Sequence, residues 1–174
     1  ELIGRGTIRP DGALGRTFPL FWETGMGAAQ IAVDRETGAI KLEKYATVAD
    51  VGKAINPQQA EGQDEGAAMQ GLGNALFEAL EYEKGQPLNA NLVDYRVPRF
   101  TDLPERFDSE LIENGDGPGP YGAKGMGESG IVSVAPAIAN ALFRAAGVRL
   151  RELPLTPERV WRALNRSQRT GHNR

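Results

Sequence analysis

A glycine-rich stretch with one embedded carboxylate is the strongest candidate for chemistry in this sequence. Residues 122–130 read GAKGMGESG, so Glu128 lies between glycines and shortly before an apolar segment. A carboxylate in a glycine-walled, partly dry pocket can have its pKa raised and act as a general base near neutral pH. On this stretch alone, the simpler interpretation is a surface glutamate, or one stabilised by the dipole of the helix that follows.

Glutamine side chains beside glycines form a second candidate site. Gln63 follows Gly62, and Gln70 precedes Gly71. Glutamine both donates and accepts hydrogen bonds, and a glycine beside it lets a ligand approach the backbone, which suits a polar heterocycle that carries phosphate. These residues alone favour the alternative, in which the glycines allow a helix to pack closely against a neighbouring backbone.

Two weaker patterns complete the set. Asp50, Lys53 and Asn56 follow a predicted strand and could line a site, although such residues are more typical of turns and helix caps. Gly125-x-Gly127 resembles half of a dinucleotide-binding fingerprint, which makes a nicotinamide-binding domain a third, weaker alternative. No buried strand clearly precedes this pair of glycines, so the expected context of that fingerprint is missing.

The composition argues against several classes of chemistry. With no cysteine, this chain cannot itself form a disulfide, supply a thiolate nucleophile or hold an iron–sulfur cluster. A single histidine, His172, argues against a protein-ligated zinc, copper or haem site, and we expect no metal ligand from this chain. A net charge of −3 gives no electrostatic reason to bind nucleic acid. No apolar run approaches the roughly 20 residues of a membrane helix.

The first half of the chain predicts a β-hairpin followed by a helix. Residues 28–33 and 39–49 read as strands joined by a turn over 34–38. Asn56 is a good N-cap and Pro57 suits a first helical turn, which predicts a helix over 58–82.

The second half predicts shorter elements around a long loop. A second hairpin is expected from residues 81–83 and 88–92, and a short strand from 109–113. Residues 114–130 hold seven glycines and two prolines, too many for a regular element. An ordered loop of this length in a compact domain is usually functional.

Two helices are predicted to end the chain. The first covers residues 133–148, with a stripe formed by Ile138, Ala141, Leu142 and Ala145. The second begins after the N-cap Thr156 and is anchored by Val160, Trp161 and Leu164. A frayed tail is expected over 165–174. Strands and helices mix without a βαβ rhythm, which favours a single α+β domain over residues 1–174.

Four linked motifs resemble the xanthine dehydrogenase / aldehyde oxidase family. They are VADVGKAINP at 48–57, EGQ at 61–63, QGLGNAL at 70–76 and GAKGMGE at 122–128. Their order and spacing are similar to the C-terminal end of that family's molybdenum cofactor-binding subunit, over roughly residues 28–164. Several linked motifs are far less frequent by chance than one.

The resemblance implies a definite site. Molybdenum would be held by the dithiolene of a pterin (molybdopterin), with or without an appended cytidine nucleotide, and not by a protein side chain. Gln63 would contact the pterin. Glu128 would deprotonate a molybdenum-bound hydroxyl, whose oxygen attacks an aldehyde or N-heterocycle while a hydride passes to the sulfido ligand. Lys124, Gly125 and Gly127 would form the loop that positions this base beside the cofactor.

The resemblance also implies partners. Subunits of this family are several times longer than 174 residues. We therefore expect a larger upstream molybdenum-binding chain or segment, an iron–sulfur subunit, an FAD subunit and a small-molecule substrate. No signal-type segment is evident, which favours the cytoplasm without excluding the periplasm. The alternative is a non-catalytic assembly module that pairs with a larger cofactor-binding chain, and the presence of Glu128 favours catalysis.

Overall fold

The computed structural model describes residues 21–171, with side chains described for residues 21–166. The expectations for residues 1–20 and for His172 lie outside this range. Within it, a three-stranded sheet, a two-stranded ribbon and three α-helices form the fold, which confirms the α+β class.

A β-hairpin opens the described part of the chain, as predicted. Strand β1 (Gly25–Val33) pairs antiparallel with β2 (Ile40–Asp50). In the turn, the Asp34 carboxylate accepts the N–H of Glu36 at 2.8 Å. Gly38 has a φ of 77°, a left-handed conformation that disfavours any residue with a Cβ.

Helix α1 (Pro57–Leu76) begins where the sequence predicts and ends earlier. The Asn56 side chain accepts the N–H of Gln59 at 3.2 Å, which confirms the N-cap. The helix was expected to reach residue 82. It stops because the Glu78 N–H turns back to the Gly73 carbonyl, which already accepts the Phe77 N–H, and so breaks the i→i−4 pattern. The Glu78 carboxylate then accepts the Tyr95 hydroxyl at 2.7 Å, which fixes the direction in which the chain leaves.

The second hairpin is shorter than predicted. Strands β3 (Tyr82–Glu83) and β4 (Gln86–Pro87) have two residues each, and the strand expected over 88–92 does not form. The reason is Asn89, whose side chain donates to the Ala79 carbonyl and accepts the Glu81 N–H in place of a continued ladder.

Strand β5 (Arg106–Ile112) lies parallel to β2 and completes the sheet in the order β1-β2-β5. It begins three residues earlier than the strand predicted over 109–113. Because β2 and β5 are parallel, their carboxyl ends, Asp50 and Ile112, lie side by side. The loops that follow the two strands therefore leave from the same edge of the sheet.

Helices α2 (Ile131–Ala146) and α3 (Pro157–Gly171) complete the core. Helix α2 lies against β1 and α1. The core is built from buried residues of the sheet and all three helices, chiefly Tyr45, Leu72, Leu76, Val134, Ile138, Leu142, Val160 and Leu164.

Three expectations for these two helices were wrong. Ala145 is exposed, and Val134 contributes to the buried stripe of α2 instead. Trp161 is 44% exposed because it follows Val160 directly, which places it off the buried face of α3. Helix α3 continues to Gly171, beyond the end expected near residue 165.

The glycines of α1 differ in their surroundings, and one of the two interpretations is confirmed at one position. A Cβ at Gly71 would collide with Val134 of α2, so close helix packing is confirmed there. Gly62 and Gly66 have no neighbouring atoms that a Cβ would meet. No helix within residues 21–171 combines the length and apolarity required to cross a bilayer.

Candidate functional site

The loop between β5 and α2 is held firmly against the end of β2. The Gly115 N–H donates to the Gly52 carbonyl at 2.7 Å, and the Lys124 N–H donates to the Val51 carbonyl at 2.9 Å. Gly52 has a φ of 64° and faces the Gly122 carbonyl so closely that a Cβ would not fit. The prediction of a long ordered loop is confirmed by these contacts.

Lys124 anchors this loop through buried charge. Its side chain is 5% exposed, and its ammonium contacts Asp50 Oδ2 at 2.6 Å and Asp116 Oδ1 at 2.8 Å. The hydrogen bonds to Asp116 and then Asp50 raise the pKa of Lys124 above 10.5. In turn, the hydrogen bond from Lys124 is the main cause that lowers the pKa of Asp50 below 3.8. Lys124 therefore fixes the shape of the loop that leads to Glu128.

The polar residues at the end of β2 and just after it, namely Asp50, Lys53 and Asn56, also stabilise the backbone at this edge of the sheet. Lys53 pairs with Glu113 at 2.6 Å, next to the first residues of the long loop. Asn56 caps α1, and Asp50 accepts the Gly52 N–H at 3.1 Å. Turn and cap chemistry, the more typical role of such residues, is what the structure shows for this set.

Two glutamines of α1 reach the glycine-rich stretch. Gln63 Nε2 donates to the Gly127 carbonyl at 3.3 Å, and Gln70 Nε2 donates to Glu128 Oε1 at 3.0 Å. Residues seven apart lie on the same face of a helix, so both side chains point toward the same loop. Gln63, Gly127 and Glu128 are thus brought together. Gln70 belongs to the second candidate pattern of the sequence, but no role toward Glu128 was predicted for it.

The surroundings of Glu128 differ from the expected partly dry pocket. Its side chain is exposed, and so are Gly125 and Gly127, which bring no side chains to cover it. The Glu128 carbonyl accepts the Ile131 N–H at 3.1 Å, so the residue lies at the start of α2, as the simpler interpretation requires. Glu128 Oε2 makes no hydrogen bond to any described residue and remains available.

An open cleft of about 410 Å³, here called the glutamine cleft, is lined by Gln63 and by Lys124 and Met126 of the loop, and Glu128 is not among its lining residues. Its polar lining consists of Lys53, Asn56, Gln59, Gln63 and Lys124. Both ammonium groups are already engaged in ion pairs, Asn56 caps α1 and Gln63 donates to Gly127. The Gln59 side-chain amide and the Gln63 side-chain oxygen make no hydrogen bond to a described residue. Among residues 21–171, no three His, Cys, Asp or Glu side chains are grouped so that they could hold a metal ion.

Comparisons with known proteins identify the family. The family model described as "Molybdopterin cofactor-binding domain" matches residues 5–104. The "Probable hypoxanthine oxidase XdhD" of Escherichia coli K12 is 38% identical over 168 residues, which cover 95% of this chain and 17% of that protein. The "6-hydroxypseudooxynicotine dehydrogenase complex subunit gamma" of Paenarthrobacter nicotinovorans is 38% identical over 152 residues, 83% of this chain and 19% of that protein.

A solved structure shows the same fold. The aldehyde oxidoreductase from Desulfovibrio gigas superposes with a TM-score of 0.76 at 35% identity, over 82% of this chain and 15% of that one. The chain therefore spans less than a fifth of the length of these relatives. The matched family model and the shared fold show that the chain belongs to the molybdopterin cofactor-binding domain family of the xanthine dehydrogenase / aldehyde oxidoreductase type, whose members are molybdenum-dependent oxidoreductases.

Proposed function

We propose that this chain forms one wall of the active site of a molybdenum hydroxylase, with Glu128 as its general base. The observation that carries the proposal is a pair of hydrogen bonds from α1 to the loop. Gln63 donates to the Gly127 carbonyl, and Gln70 donates to the Glu128 carboxylate. Gln70 orients the Glu128 carboxylate and Gln63 holds the backbone carbonyl just before it, which a scaffold without catalytic duty would not need.

The glutamine cleft fits an organic cofactor by the chemistry of its lining. Its amide groups can both donate to and accept from the ring nitrogens and oxygens of a pterin. The Gln63 side-chain amide donates one hydrogen bond to the Gly127 carbonyl, and its side-chain oxygen makes no hydrogen bond to a described residue. The volume of about 410 Å³ also suits a small-molecule site, which typically measures roughly 300–1,000 Å³. When bound, the molybdenum cofactor supplies the metal that accepts two electrons from the substrate.

Glu128 is arranged to move a proton at one defined atom. Oε1 is held by Gln70, and Oε2 is unbonded, so a proton arrives at Oε2 without breaking the existing hydrogen bond. The anchored loop restricts where this oxygen can lie, because Lys124 fixes the backbone four residues earlier. A base must lie within hydrogen-bond reach of the proton it takes, so this positioning serves catalysis directly.

The rest of the site is proposed to come from a larger molybdenum-binding segment or chain. Large apolar side chains are exposed on this chain, among them Leu92, Val93, Phe100 and Tyr121. Exposed apolar surface of this kind is typical of an interaction face. A covering segment would also exclude water from Glu128, as a base in a dry pocket requires. Iron–sulfur and FAD subunits are proposed to carry the electrons away.

The names of the relatives suggest the substrate class. They refer to a probable hypoxanthine oxidase, a 6-hydroxypseudooxynicotine dehydrogenase and an aldehyde oxidoreductase. We propose an aldehyde or N-heterocycle, oxidised at an electron-poor carbon with oxygen derived from water.

Molybdenum content tests the proposed function. The native complex containing this chain is purified, and its molybdenum and pterin are measured by elemental analysis and by fluorescence after oxidation. We expect both in stoichiometric amounts. A complex that assembles without either would instead support a non-catalytic assembly module.

A further inference from the structure

A buried carboxylate outside the glutamine cleft lacks a partner. Asp64 on α1 is 1% exposed, and its Oδ2 accepts the Ser109 hydroxyl at 3.0 Å. Its Oδ1 is fully buried and has no hydrogen-bond partner among residues 21–171. Buried polar groups are normally hydrogen-bonded, so an orphaned carboxylate oxygen indicates a missing donor.

Asp64 opens into a separate cleft of about 490 Å³, here called the acidic cleft. A second carboxylate, Glu23, lines the same cleft and accepts the Ser129 hydroxyl. Burial is the main cause that raises the pKa of Glu23, and the negative charge of Asp64 raises it further. Two carboxylates thus share one partly buried space.

The lining of the acidic cleft offers no positive charge in return. Apart from Glu23 and Asp64, its described lining residues are neutral, and the polar ones are Thr47, Ser129, Ser133 and Asn140. Gly130 lines the cleft beside Asp64, and a Cβ at position 130 would lie 2.8 Å from Asp64 Oδ1. Because Oδ1 is fully buried, a donor that reaches it has to displace atoms that now cover it, and position 130 adds no side chain to displace.

We propose that the acidic cleft receives a lysine or arginine side chain from a segment of the longer subunit that lies outside this chain, paired with Asp64. Charge complementarity identifies the occupant, because a buried carboxylate is stabilised by a paired cation that also donates hydrogen bonds. The relatives are more than five times as long as the part matched here, so such a segment has a source. The contact docks α1 against the rest of the subunit. Here this chain supplies the buried carboxylate and the cation comes from outside it, whereas at Lys124 a buried cation pairs with carboxylates of this chain.

The first test removes the charge and keeps the shape. Asp64→Asn is made in the full-length subunit, assembled with its partners, and compared with Glu65→Gln, which neutralises an exposed carboxylate next to it on α1. We expect Asp64→Asn to lower the unfolding midpoint by at least about 2 °C, while Glu65→Gln changes it little. If Asp64 is satisfied by a proton or a water molecule instead, the neutral Asn variant is as stable as the wild type, and the proposal fails.

The second test asks what fills the cleft. Val132 lines it and is 76% exposed in this chain, and the chain has no cysteine of its own. We expect the cysteine of Val132→Cys to resist maleimide in the native full-length subunit and to react after unfolding. Rapid labelling in the native state would show that no chain segment covers the cleft. Together with a destabilised Asp64→Asn variant, it would point to a free cation and overturn the proposed occupant.

Discussion

Substitutions of Gln70 test whether its hydrogen bond positions the Glu128 carboxylate for catalysis. Its Nε2 lies 3.0 Å from Glu128 Oε1, and Gln70→Ala removes this bond without touching the loop anchors. A hydrogen bond to a charged group contributes about 1.5–3 kcal/mol, and exposure of both side chains reduces this to roughly 1 kcal/mol. If this amount is lost from transition-state stabilisation, kcat falls about five-fold. The assay is steady-state turnover per molybdenum in the assembled complex.

Gln70→Glu sharpens the same test. Two carboxylates about 3 Å apart do not readily ionise together, so the acid side of the pH–rate profile should move to higher pH. The matched control is Gln58→Ala, which removes an exposed glutamine near the start of the same helix whose side chain makes no hydrogen bond to residues 122–130. If Gln70→Ala and Gln58→Ala give the same kcat, and Gln70→Glu leaves the pH profile unchanged, Gln70 does not position Glu128.

Further predictions concern stability. Lys124→Met leaves Asp50 and Asp116 without their cation, and should lower the unfolding midpoint and loosen the loop, measured by hydrogen exchange around Gly127. Folding lowers the pKa of Asp50, so its ionised form stabilises the folded state. This contribution is complete above pH 3.8 and is lost as the pH falls through the lower pKa of the folded state. Acid unfolding of the wild type compared with Lys124→Met measures it. Leu142→Ala, at a fully buried position, should cost about 2–5 kcal/mol in denaturant unfolding.

The sequence predicted those elements whose turn or cap residues lie within the element itself. The first hairpin follows from alternation around a turn that ends in Gly38, and the start of α1 follows from Asn56 and Pro57. The end of α1 had no comparable signal, and the direction in which the chain leaves it depends on Tyr95, which contacts Glu78 from a later part of the chain.

The candidate site shows the same division. The linked motifs led to Gln63 and Glu128, and the structure places Gln63 against Gly127, the residue before Glu128. The burial of Lys124 between Asp50 and Asp116 could not be read from the sequence, because it depends on β2 and the long loop meeting at one edge of the sheet. The unpartnered oxygen of Asp64 was equally hidden, since nothing in the residues around it marks this carboxylate as buried.

The central claim is that Glu128 takes a proton during turnover, and Glu128→Gln tests it most directly. Glutamine keeps an oxygen that can accept from Gln70, and it places an amide nitrogen, which cannot take up the proton, where Oε2 was. We predict that turnover of the assembled complex falls by at least about 100-fold while its molybdenum content equals that of the wild type. Turnover close to the wild-type value at equal molybdenum content would contradict the account.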